Sequence, residues 1–172
     1  MRPPEVAPPM PTRPTAVRQP SSRSCFVCGR DNVLGLKARF EGDPAAGEVR
    51  TTVTVPEAMN GYPGVVHGGI LGALLDETAV RTGLLDGGFD DLMVTGRLTV
   101  TYKRPTPTET PLTVVARLEK RTGARAVATA EVRLPDGAVT ATAEVLLFRP
   151  PPDVARAWEG ERDHWKVDEE GG

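Results

Sequence analysis

Residues 69–82, GILGALLDETAVRT, carry Ile70, Leu71, Ala73, Leu74, Leu75, Ala79 and Val80. At 100° per residue these side chains spread round most of a helical circumference, so protein must surround the helix on most sides. The segments that flank it alternate with period two instead, the signature of strands. Upstream stand LKARFE and GEVRTTVTV, the second with Val49, Thr51, Val53 and Val55 on one face. Downstream, MVTGRLTVTY puts Leu98, Val100 and Tyr102 on one face, and LTVVARLEKR does the same with Leu112, Val114, Ala116 and Leu118. ARAVATAEVRL and GAVTATAEVLLF meet at the turn signal PDG, residues 135–137. The order is two strands, one buried helix, four strands. An antiparallel sheet curled round a single long central helix, an α+β architecture, satisfies it.

Composition divides the chain into three parts. Residues 1–24 contain seven prolines, four arginines and one glutamate; so little apolar content predicts a disordered Pro/Arg-rich tail. Residues 25–148 form the domain. Residues 149–172 open with three prolines that break the last strand, carry four basic and seven acidic groups, and include VARAWEGERDHW, a candidate short helix. A net charge of −2 and the lack of a helix-turn-helix pattern argue against nucleic acid as a partner. No apolar run approaches the ~18 residues of a membrane span, and no apolar signal core follows Arg2, so a cytoplasmic location without membrane attachment is expected.

The stretch GYPGVVHGGILGALLDETAV, residues 61–80, places glycines, a histidine and the Asp76–Glu77 pair in one of the most apolar parts of the chain. No Lys-Ser or Lys-Thr follows the glycines, which excludes a phosphate-binding P-loop. Free N–H groups at a helix start, aided by the helix dipole, are suited instead to stabilising negative charge on a carbonyl oxygen. Glycine lets a ligand come close to the backbone. Asp76 lies seven residues past Gly69 on nearly the same face, about 10 Å along the axis. One carbonyl can hardly touch both the Gly68 amide and the Asp76 carboxylate of one chain, whereas two facing helices from two chains solve the problem.

GYPGVVHGG, the acid nine residues after His67, VTGRLTVTYKRPTP and PDGAVTATAEV together resemble the hotdog-fold thioesterases of the PaaI type, over residues 25–148. The resemblance implies hydrolysis of an acyl-coenzyme A or acyl-carrier thioester without a cofactor or metal, in a homodimer or dimer of dimers. It implies Gly68 as oxyanion donor, His67 holding the loop and pocket by hydrogen bonding, and Asp76 as general base or as a nucleophile forming a mixed anhydride. Thr95 matches a hydroxyl residue that orients the water or the carboxylate. Glu77, about 100° round the helix, is a further catalytic candidate or only a salt-bridge partner.

Gly69 and Asn60 are candidates for substrate binding, although Asn60 lies seven residues before the histidine, where relatives place the amide six before. Coenzyme A carries phosphates, so Lys103, Arg104, Arg121 and Arg125 are candidate grips for them. Cys25 and Cys28, in CFVCG, supply only two of the four ligands that structural zinc wants and read first as a structural turn. Two other classes remain open: a hotdog dehydratase with His67 and Glu77 as acid–base pair, and a non-catalytic acyl-CoA sensor.

Overall fold

The computed structural model describes residues 16–85 and 88–168. Nine strands and two α-helices follow one another as β1 (Val17–Arg18), β2 (Phe40–Asp43), β3 (Glu48–Thr54), β4 (Asn60–Tyr62), β5 (Val65–Val66), α1 (Gly68–Val80), β6 (Val94–Tyr102), β7 (Pro111–Thr122), β8 (Arg125–Arg133), β9 (Val139–Phe148) and α2 (Pro152–Ala157). Seven strands form one antiparallel sheet in the order β1-β2-β3-β7-β8-β9-β6, and β4 and β5 pair separately as a small hairpin.

The sheet curls round α1 because its inner face is apolar and, at its centre, small. On β8 the inward positions are Ala126, Ala128, Ala130 and Val132, all buried. Alanines there let the backbone of α1 come close, while larger residues, Val49 and Val53 on β3 and Leu112 and Val114 on β7, fill the flanks. From the helix come Leu71, Leu74, Leu75 and Ala79. The PDG turn closes as expected, with Gly137 at φ +84°, a conformation glycine adopts without a Cβ penalty.

Coverage of the helix is incomplete. Gly69 is exposed, and Ile70, Ala73, Asp76, Glu77 and Val80 are only half-buried. At 100° per residue these positions make one stripe about 120° wide. The edge strand β6 beside it is likewise thinly covered, with Leu98 and Val100 half-buried.

The chain ends depart from expectation. Residues 1–15 of the expected disordered tail lie outside the described residues, but 16–24 are folded. Val17 and Arg18 extend the sheet by pairing with Gly42 and Glu41. Gln19 and Ser21 are buried, at 4% and 1% exposure. Gln19 donates from Nε2 to the carbonyls of Arg81 at 3.1 Å and Leu84 at 2.9 Å, which end α1 and the 3-10 turn after it. The Ser21 amide bonds the Lys166 carbonyl at 2.7 Å, so the two ends of the chain pair with each other. Apolar content was a poor guide here because this segment is anchored by hydrogen bonds, not by burial of large side chains. The expected C-terminal helix is shorter than VARAWEGERDHW: α2 stops at Ala157 and a 3-10 stretch, Glu159–His164, carries the chain on. Trp165 then meets Phe89 edge-to-face, with ring centroids 6.1 Å apart. No helix among the described residues is long and apolar enough to cross a membrane.

Candidate active site

His67 caps α1. Its Nδ1 accepts a hydrogen bond from the Gly69 amide at 2.9 Å, and its carbonyl receives the amides of Ile70 and Leu71. A ring nitrogen that accepts carries no proton, so Nδ1 is committed to the helix and is not available as a base. The same bond uses up the Gly69 N–H. The Gly68 amide, at the first helical position, bonds no acceptor among the described residues. Of the two glycine amides expected to meet a ligand, Gly68 alone is presented.

Tyr102, at the end of β6, donates its hydroxyl to the Gly68 carbonyl at 2.7 Å. A Cβ added at Gly68 would meet the tyrosine ring carbon Cζ at 3.3 Å, so this glycine makes room for the phenol. Tyr102 was legible as the last residue of a stripe it shares with Leu98 and Val100, but nothing in the sequence signalled its reach to the helix start. His67, Gly68 and Tyr102 line a cavity of about 560 Å³ together with Tyr62, Lys103 and Arg104.

The loop before the helix is arranged by Glu57. Its carboxylate accepts from the Asn60 side-chain amide at 2.8 Å, the Gly64 amide at 3.1 Å and the Thr108 hydroxyl. These donors, Thr108 foremost, then Gly64 and Asn60, hold the carboxyl below its ordinary pKa. One of the two Asn60 amide hydrogens is therefore engaged by Glu57.

Two turns along α1, Asp76 accepts from the Thr95 hydroxyl at 2.6 Å. A break in the alternation of β6 makes this contact. Counted back in twos from Leu98, Thr95 would face outward with Arg97. A bulge at Gly96 shifts the register, so that Thr95 pairs with Leu147 and Leu98 with Val145, both partners fully buried. The extra residue turns Thr95 to the inner face. Gly96 is required because a Cβ there would lie 2.0 Å from Cε2 of Phe148.

Glu77 takes no part in this pair. Its Oε1 accepts from Arg81 Nε at 3.0 Å, and its Oε2 lies 3.8 Å from Cys25 Sγ. Burial pushes its pKa up, and the Arg81 guanidinium opposes the shift. Arg81, 1% exposed, also donates to Cys28 Sγ at 3.0 Å and to the Pro20 carbonyl at 2.8 Å, and stacks over Phe40 at 4.2 Å. The structure thus pairs the half-buried Glu77 with the buried Arg81, not with His67 as a dehydratase needs. Arg81 escaped sequence reading, since an arginine four residues after a glutamate on a helix is ordinarily a surface pair.

The four basic candidates separate. Lys103 and Arg104 lie by Gly68. Arg121 pairs with Asp91 at 3.3 Å, and Arg125 packs over the Phe148 ring at 5.4 Å, in the same sheet row as Val94. β6, nine residues long, separates the two groups by about 26 Å at ~3.3 Å per residue.

The sequence profile of the thioesterase superfamily matches residues 63–141, from the loop before His67 to the start of β9. The chain resembles the thioesterase superfamily in this profile and has its hotdog fold. A solved structure of a thioesterase superfamily protein is 33% identical over 73% of this chain and 60% of its own, with a TM-score of 0.66; the present chain thus spans less than two thirds of that relative. A phenylacetic acid degradation-related protein of Ralstonia eutropha JMP134 is 28% identical over 66% of this chain and 85% of its own, at 0.57. A hypothetical thioesterase protein of Streptococcus pneumoniae TIGR4, solved with coenzyme A, shares the fold at 21% identity over 60% of this chain and 78% of its own, at 0.55. No curated protein matches the sequence.

Proposed function

We propose that the protein hydrolyses an acyl-CoA or acyl-carrier thioester, with Asp76 as general base or nucleophile and the Gly68 amide as oxyanion donor. The observation that carries this reading is the Asp76–Thr95 pair, 2.6 Å apart, at the border of the uncovered stripe of α1. A carboxylate oriented by one hydroxyl and open on its other side suits attack by water, or by itself, on a thioester carbon. The charge developing on the carbonyl oxygen then meets the Gly68 N–H and the positive end of the helix. The leaving thiolate of a pantetheine arm has a pKa near that of cysteine, about 8.5, and needs little help from an acid. The CoA-bound streptococcal structure of the same fold favours coenzyme A as the carrier. Lys103 and Arg104 beside the cavity suit its phosphates.

Asp76 does not line the cavity at Gly68. We therefore place the two halves of the site on different chains: Gly68 of one copy opposite Asp76 of a second, with their uncovered helix stripes facing. Thiol release across acyl-CoAs of graded length and aryl-CoAs tests the activity; tight binding with no release on any of them would favour a sensor. Co-expression of Asp76→Asn and Gly68→Val chains tests the geometry. A mixed dimer holds one site with both defects and one with neither, so activity returns, up to half the wild-type level per dimer. Verified mixed dimers without activity would reject the shared site.

A further inference from the structure

We propose that Cys25, Cys28 and Glu77 bind a divalent cation of borderline softness, Zn²⁺ being the best match. The three residues meet at the C-terminal end of α1, away from the Asp76–Thr95 pair. Sulfurs and carboxylate converge there, with all three donor atoms within 4.8 Å of one another. Cys25 Sγ stands 3.8 Å from Glu77 Oε2. Zinc with bonds of ~2.3 Å to sulfur and ~2.1 Å to oxygen, in a tetrahedron, holds sulfurs about 3.8 Å apart and sulfur and oxygen about 3.6 Å apart. The donors need only close in by a few tenths of an ångström to about 1 Å.

The loop carrying the cysteines is shaped for this. The Gly29 amide bonds the Cys25 carbonyl at 2.8 Å, closing a tight turn. A Cβ at Gly29 would lie 2.4 Å from that carbonyl oxygen, so the residue after the second cysteine must be glycine for both sulfurs to share one side. Inside the turn the Val27 amide points at Cys25 Sγ, 3.3 Å away, and Arg81 donates to Cys28 Sγ. Donors aimed at sulfur are the outer-shell partners that orient a metal ligand.

The charges also balance. With the cation bound, two thiolates, one carboxylate, the Arg81 guanidinium and M²⁺ sum to no net charge, which a largely buried cluster tolerates. The fourth position falls to Ser22, whose Oγ is 3.7 Å from Cys28 Sγ, or to water from the cavity of about 280 Å³ that these residues line with Phe89, Met93 and Trp165. Two sulfurs and one oxygen favour zinc over magnesium or calcium, which take oxygen.

The test uses the full chain, purified under reducing conditions. Elemental analysis should find one zinc per chain, and Co²⁺ added to metal-free protein should give sulfur-to-cobalt charge-transfer absorption in the near ultraviolet. Cys25→Ser, Cys28→Ser and Glu77→Gln should each weaken binding, measured against a chromophoric chelator, by more than the roughly 10- to 100-fold typical of losing an outer-shell partner. Wild-type protein without stoichiometric zinc and without the cobalt band overturns the proposal, whatever the variants do. So does zinc retained by the Cys25→Ser/Cys28→Ser double variant, and so does recovery of the two cysteines as a disulfide that reforms in the presence of excess Zn²⁺.

Discussion

At its N-terminal end α1 meets solvent through His67, Gly68 and Gly69, beside a cavity of about 560 Å³. At its C-terminal end the same helix runs into Arg81, 1% exposed, which grips Glu77, Cys28 and the Pro20 carbonyl at once. The first end is made of glycines behind His67 and presents the Gly68 N–H, which is left available to a ligand. The second is made of full charges that partner each other, and through Arg81 it ties the segment at Pro20 to the core. Asp76 and Glu77 stand next to each other in sequence, yet 100° of rotation sends one to Thr95 and the other to Arg81. The two neighbouring carboxylates thus differ in what each meets beside the uncovered stripe, a hydroxyl for Asp76 and a guanidinium for Glu77.

The largest expected effect breaks the C-terminal end. Arg81→Met removes the buried partner of a pair whose other member, Glu77, is half-buried, so the loss should approach the lower end of the about 3–5 kcal/mol that breaking a fully buried pair costs. Chemical denaturation should show that loss, and adding Glu77→Gln should recover part of it. A loss under ~1 kcal/mol would place the cluster in the class of solvated pairs.

Breaking the other half of the comparison spares stability and strikes turnover. Asp76→Asn keeps shape and should lower kcat by about 100-fold or more, about 2.7 kcal/mol in barrier height, with acyl-CoA binding retained. Glu77→Gln, assayed where it is folded, should stay near wild type. If Glu77→Gln loses more than Asp76→Asn, the division of roles between the two carboxylates is wrong.

A third substitution sharpens how Thr95 is aimed. Gly96→Ala forces its Cβ into Phe148, 2.0 Å away, an overpacking that costs about 1–3 kcal/mol. If the bulge is what turns Thr95 inward, turnover of the folded variant should fall toward that of Thr95→Val. Full turnover at reduced stability would separate the bulge from the site.

Much of this was legible in the sequence, and the failures share a cause. Alternation located β3 and β6 to β9, and the all-round apolar helix required a curled sheet. The motif around His67 pointed to the helix start and to Asp76. What escaped were contacts between distant segments that no local period encodes. The Gly96 bulge hides in a strand that alternates normally on its far side. Gln19 looks like tail composition until its amide is seen on the carbonyls that end α1. Arg81 and Glu77 have the spacing of a surface pair, and only the return of Pro20, Cys28 and Trp165 over Arg81 buries it. Cys25 and Cys28 lack a third donor in the sequence around them, because Glu77 reaches them only through the fold.

The smallest effect concerns the open end and its pH dependence. Glu57 is exposed, and its carboxylate, held by Thr108, Gly64 and Asn60, has a pKa below its ordinary value of 4.5. A folded-state pKa below the unfolded one means that the unfolded chain takes up the proton first. The carboxylate therefore stabilises the fold in full above about pH 4.5, and that contribution fades as pH falls through the lowered value. Glu57→Gln keeps an acceptor but not the charge. Its thermal midpoint should lie below that of wild type at neutral pH, and the two should converge in acid. Because solvent screens an exposed group, the gap should be the slightest of those predicted here, and narrower still in high salt. A gap that stayed constant from neutral pH to well below 4.5 would mean that Glu57 orders the loop through hydrogen-bond shape alone, and the open end of α1 would then owe nothing to charge.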